Sequence, residues 1–190
     1  MDIVARAKAI LTTPNTEWPV IEAEPSSVES IYKDYVIYLA AIPAIATFIG
    51  TSLIGVSMPV LGTVRVHLVS GVIGAVVSYG LQLAAVYALA YVTDFLTANF
   101  NGQKNFLNAF KLAAYSMTAA WLGGVFAILP VLAIIGVIAG LYSLYLFYVG
   151  LPVLMKSPPD KSLVYTAAVL LAGIVVNVVI GLIVRLVLGV

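Results

Sequence analysis

The sequence has no cysteine and a single histidine, and Asp, Glu, Lys and Arg together make up only 9% of its 190 residues. Without cysteine, disulfides, thiolate catalysis and cysteine-built metal sites are excluded, and His67 alone cannot build a metal site. A soluble domain carries roughly 25% charged residues, so this chain does not have water as its solvent. It also lacks a carboxylate pair, a histidine beside a nucleophile and a phosphate-cradling glycine loop. No enzyme is indicated, and no catalytic residue, metal ligand or cofactor is assigned. A net charge of +1 gives no sign of a nucleic-acid partner.

What the chain has is apolar sequence, 63% of it by residue type. A membrane-spanning helix needs about 20 apolar residues, and five stretches qualify: 35–54, 68–93, 110–129, 131–152 and 163–188. Read as one helix, residues 112–155 would run about 66 Å, twice the thickness of a bilayer. The run must fold back, and Pro130 is the natural break. The expected architecture is an all-α membrane protein, a five-helix bundle over residues 35–190. An amphipathic interfacial segment, residues 1–34, precedes it. That segment holds acids, prolines and a tryptophan rather than a basic stretch and an apolar core, so the first span reads as uncleaved.

Five crossings put the two ends on opposite sides, and the cations decide which. Arg6, Lys8, Lys33, Lys104, Lys111, Lys156 and Lys161 fall on the amino-terminal side, against Arg65 and Arg185 on the other. The amino terminus is expected in the cytoplasm and the carboxyl terminus outside.

In the opening segment, Ile3, Val4, Ala7, Ile10 and Leu11 recur at helical spacing until Pro14. Trp18 follows, suited to anchoring among headgroups, although the same stripe could pack on protein. Gly74, Ser78 and Gln82 share one face of the second span, a face expected to meet another helix. Gly173, Asn177, Gly181 and Arg185 repeat that spacing in the last span. The asparagine-rich connection at residues 95–109 predicts turns and caps.

Three stretches carry a resemblance. Residues 142–146 read Tyr-Ser-Leu-Tyr-Leu, and 150–156 read Gly-Leu-Pro-Val-Leu-Met-Lys ahead of Pro159-x-Lys161. Arg6, Ala9-Ile10-Leu11, Pro14 and Trp18 form a second group, and Ala114-Tyr115-Ser116 with Trp121-Leu122 a third. Together they resemble the Yip (Ypt-interacting protein) family in its bacterial branch. The resemblance implies a five-helix membrane domain with a cytoplasmic amino terminus. It implies a location in the bacterial cytoplasmic (inner) membrane. Eukaryotic relatives are associated with Rab-type GTPases, but their Asp-Leu-Tyr-Gly-Pro signature is absent here, and Ala119 stands where a proline is expected after Thr118.

Candidate sites fall into two groups. Arg6, Lys8, Trp18, Lys156, Pro158, Asp160 and Lys161 are the partner- or lipid-facing residues, the last four forming a stiff charged turn. The intramembrane polar residues are Gln82, Asp94, Lys111, Tyr142, Tyr145, Asn177 and Arg185. Of these, Asp94 is expected to pair with Lys111 across the short loop, and Asn177 to reach Gln82, Tyr142 or Tyr145. Arg65, His67 and Arg185 could gather into an external anion- or headgroup-binding cluster. The implied function is a scaffold or adaptor that recruits a cytoplasmic partner or organises lipid. A small transporter, channel or lipid-moving protein built on the polar face around Asn177 is the alternative. A homo-oligomer is compatible with the small-residue faces.

Overall fold

The computed structural model describes residues 2–58, 62–129 and 132–174. Helix α1 spans Ile3–Thr12, capped by Asp2, whose carboxylate accepts from the backbone N–H groups of Val4 and Ala5. Pro14 does end it, but only to begin α2, Pro14–Ala23. A proline is favourable in a helix's first turn, where the N–H it lacks has no partner to lose. Residues 14–23, to which the sequence pattern assigns no element of their own, are a second helix with Trp18 at its centre.

Helix α3 runs from Val28 to Ile54, starting earlier than the predicted 35. Ser27 and Ser30 make a reciprocal cap, each side-chain oxygen accepting from the other's N–H at 3.1 and 3.0 Å. Two short wide turns interrupt it, at Tyr32–Val36 and Ile49–Ile54. An antiparallel hairpin follows, β1 (Val56–Met58) on β2 (Gly62–Val64), with Val56 opposite Val64. It is the one departure from an all-α reading among the described residues. Gly55 and Gly62 supply its left-handed backbone, φ +92° and +71°.

Helix α4, Leu68–Leu96, continues through a tight turn to Phe100. Helix α5 (Phe106–Ser116) is capped by Asn105, and the ladder breaks at Met117 before α6 (Thr118–Gly123) and a tight turn to Ile128. The third span is thus interrupted although Ala119, not proline, follows Thr118. The chain then folds back to α7, Ala133–Met155; Pro130 itself lies outside the described residues. Lys156 ends α7 in the left-handed conformation, φ 52°, and helix α8 covers residues 162–174.

Four of these segments are long and apolar enough to cross a membrane: Val28–Ile54, Leu68–Phe100, Phe106–Ile128 and Ile134–Met155. The predicted fifth span, 163–188, is described only as far as residue 174, so Asn177 and Arg185 lie outside the described residues.

The third span, α5 with α6, is the hub. It touches α3, α4 and α7, while α2 lies along α7 and α1 along α6. Close approach depends on glycine at two points. A Cβ on Gly124 would sit 2.5 Å from Pro43 Cβ, and one on Gly150 would sit 2.5 Å from the Trp18 ring and 2.8 Å from Leu112. Gly74 has nothing within 4 Å, so the small face of α4 meets no described helix at that position.

Cross-links fix the levels of the helices. Tyr79 donates to Ile37 O on α3, Ala120 N–H donates to Ser143 Oγ, and the Tyr35 and Thr118 hydroxyls lie 2.7 Å apart. Around these levels and beyond them, Tyr38, Tyr87, Tyr91, Tyr145 and Tyr148 are exposed. Tyrosines gather where a bilayer meets water, so this girdle is a candidate for one membrane interface. The end of the bundle beyond it carries Glu22, Glu24, Lys104, Lys156 and Lys161.

Candidate functional site at the charged end of the bundle

The charged end is organised by two cations, half-buried Arg6 and buried Lys111. Arg6, from α1, forms ion pairs with Glu17 and Glu24, one inside α2 and one at its end. Its guanidinium also lies 5.8 Å from the centre of the Tyr115 ring. Both acids belong to the amino-terminal segment, so Arg6 staples α1 to α2 rather than facing lipid.

Lys111, on α5, is 3% exposed. Its ammonium donates to the carbonyls of Ile21 at 2.8 Å, Glu22 at 3.2 Å and Glu24 at 2.7 Å. These are carbonyls at the carboxyl end of α2, which a helix leaves without N–H partners and which carry its partial negative charge. Lys111 therefore holds α2 to the bundle. The expected Asp94–Lys111 pair does not form, because the nearer acceptors come from a helix the sequence reading did not place. Asp94 has no ion-pair partner among the described residues.

Trp18 is fully buried, fitted over Gly150, so it is not a headgroup anchor. Ile10 and Ile21 are equally enclosed. Ala7 and Ile10 of α1 and Trp18 and Ile21 of α2 thus face protein, while Val4, Val20 and Lys8 stay exposed. Tyr142 donates to Leu11 O at 2.7 Å, which places the α1–α2 turn about 20 Å along α7 from Met155, at 1.5 Å per residue. Tyr142 and Tyr145 are ring neighbours at 5.5 Å, and Asn177, expected to reach them or Gln82, lies outside the described residues.

Where the linker from α2 enters α3, a cavity of about 180 Å³ opens, lined by Glu24, Pro25, Ser26, Ser30, Ile31, Asp34 and Tyr115. Its walls offer two carboxylates, serine hydroxyls and a phenol. Glu24 is already paired with Arg6, whereas Asp34 has no ion-pair partner among the described residues. The wall therefore presents net negative charge to the charged end. Among the described residues no three His, Cys, Asp or Glu side chains converge as a metal-ligand group would.

Of the predicted turn, Lys156 pairs with Glu22 at 2.9 Å and so ties α7 to α2. Asp160 is exposed and Pro158 and Lys161 are half-buried. Arg65 donates to Ile54 O at 3.2 Å across the base of the hairpin. Its proposed cluster with His67 and Arg185 reaches beyond the described residues.

The profile of the Yip1 domain matches residues 8–180. The chain belongs to the Yip1-domain family. Two curated relatives, both named inner membrane protein YohC, come from Escherichia coli K12 and E. coli O6:H1. Each is 29% identical to this Yip1-domain protein over 170 residues, covering 88% of this chain and 87% of the relative. No solved structure matches it. The matched region begins within α1, so the Yip1 domain takes in the second half of α1 and all of α2 as well as the four described spans.

The sequence reading missed α2, the Arg6 staple and the Lys111 clamp. One signal was available for the staple: Arg6, Glu17 and Glu24 are opposite charges within one short segment.

Proposed function

We propose that this Yip1-domain protein is a non-enzymatic scaffold of a bacterial inner membrane. Its charged end faces the cytoplasm, and there it engages a cytoplasmic protein partner. The observation that carries this reading is the separation of tasks along the bundle. Beyond the tyrosine girdle stand the acid-walled cavity, the exposed Lys104 and the Asp160–Lys161 turn. On the other side, helices meet through glycine contacts such as Gly124 on Pro43, the packing expected where lipid is the solvent. The excess of Lys and Arg on the charged end supports the orientation, and the inner-membrane name of the E. coli relatives supports the membrane.

Lys156 is occupied by Glu22, which leaves Lys104 and Lys161 as the cations to test. In cross-linked native membranes, Lys104→Glu with Lys161→Glu should remove at least one cytoplasmic protein that the wild type captures reproducibly. The Tm of the purified bundle should not change. An identical set of captured proteins from wild type and variant would count against the proposal.

A further inference from the structure

The two amino-terminal helices stand upright against the bundle. Three contacts fix α2 and the turn before it along α7: Leu11 O accepts from the Tyr142 hydroxyl, Trp18 covers Gly150, and Glu22 pairs with Lys156. Rising numbers in one segment meet rising numbers in the other, so α2 runs parallel to α7 and the α1–α2 turn lies at its end away from the charges. At 1.5 Å per residue, Tyr142 is about 14 Å from the start of α7 at Ala133, half of a hydrocarbon layer of about 30 Å. It also lies farther from the charged end than Tyr145 and Tyr148, the girdle tyrosines of α7. Helices α1 and α2 have 10 residues each, a length of about 15 Å and so the depth of one leaflet.

The turn suits apolar surroundings. No residue from Ala9 to Thr16 is charged. Thr12, Thr13 and Thr16 are exposed, yet each hydroxyl donates to a carbonyl of its own segment: Lys8 O at 2.8 Å, Ala9 O at 3.1 Å and Thr13 O at 3.0 Å. Pro14 has no N–H, and the N–H groups of Thr13, Thr16 and Glu17 donate to Ala9 O and Thr13 O. Lipid accepts no hydrogen bonds, so polar groups at membrane depth must be satisfied within the protein. The charges nearer the headgroups follow the same rule. Arg6 is paired with Glu17, and exposed Lys8, one turn before Thr12, is placed to snorkel towards the charged end. Val4 and Val20 add exposed apolar surface to the two helices.

We propose that α1 and α2 form a re-entrant helical hairpin embedded in the leaflet on the charged side, with Val4, Val20 and the turn against acyl chains. The hairpin widens one half of the bundle, and among the described residues no second hairpin of helices answers it in the other half. Such a wedge fits a membrane whose charged-side leaflet is convex, because insertion into one leaflet is sensitive to curvature. The partner of this surface is curved lipid, whichever compartment the charged end faces.

The test uses the full chain, which has no cysteine of its own. Single cysteines replacing Val4, Thr12, Thr16 or Val20 carry nitroxides in lipid nanodiscs, and their collisions with oxygen, which concentrates in the bilayer interior, are compared with those of a water-soluble nickel chelate. The oxygen-to-nickel ratio should rise from Val4 to Thr12 and fall again from Thr16 to Val20. Turn positions as open to nickel as Val4, the result expected of a hairpin standing in water, overturn the proposal. In tubes pulled from giant vesicles, molecules with the charged end outward should be enriched roughly twofold or more over the flat membrane. Asn15→Asp, which places a charge in the turn, should remove the enrichment. Equal densities in tube and flat membrane overturn the proposal, as does an enrichment that Asn15→Asp leaves intact. Should that variant not fold, the nitroxide depths and the wild-type tube densities decide.

Discussion

Two spans of this bundle have opposite fates. Leu68–Phe100 has a mean hydropathy of 1.8 and only 6% of its most apolar window is buried by protein; Phe106–Ile128 has a mean hydropathy of 1.2 and 56% is buried. In a soluble protein the more apolar helix would lie inside. Here lipid is as apolar as leucine, so an apolar helix such as α4 is stable without protein around it. The helix carrying Lys111, Tyr115, Ser116 and Thr118 goes to the centre, where other chain segments can satisfy those groups. On α4 the outward row of Val69, Val72, Ile73, Val76 and Val77 needs no protein partner. On α5 and α6 nearly every position has one.

If that contrast is right, the largest effect should come from crowding the hub. Gly124→Leu would drive a side chain into Pro43 and should destabilise the bundle by about 3 kcal/mol, seen as a lower Tm in nanodiscs; an unchanged Tm would erase the distinction between hub and rim. Next comes Lys111→Ala, which strips three carbonyls of their donor and should cost about 2 kcal/mol. Hydrogen exchange should then show residues 3–23 losing protection before the spans do. If all regions lose protection together, α1 and α2 are not a separable unit. The smallest effect is expected on the rim: Gly80→Leu meets nothing within 4 Å and should shift stability by no more than about 0.5 kcal/mol. A large loss there would reveal a protein neighbour on that face of α4.

Much of the fold could be read from the chain. The membrane-spanning character, the fold-back after residue 129 and the helical start at Ile3 all follow from apolar length, proline and periodicity. The candidate site was less legible. Asp94 and Lys111 are near in sequence and opposite in charge, so pairing them was the economical choice, yet Lys111 found backbone carbonyls on α2 instead. Trp18 has an amphipathic ring that suits a headgroup layer as well as a core, and nothing local distinguishes the two. Gly150 is the deciding partner, and it is 132 residues away in the chain (150 − 18).

The sequence by itself determined that this is a membrane-embedded helical protein and which residues share each helix face. Only the tertiary structure decided what each face touches: Ile10, Trp18 and Ile21 of α1 and α2 buried in the bundle, and Lys111 on the end of α2. The physical reason is that periodicity records which side chains point together and not what lies opposite. With an apolar solvent, lipid and protein are alike acceptable to a hydrophobic stripe, so the choice falls to distant contacts such as Trp18 on Gly150.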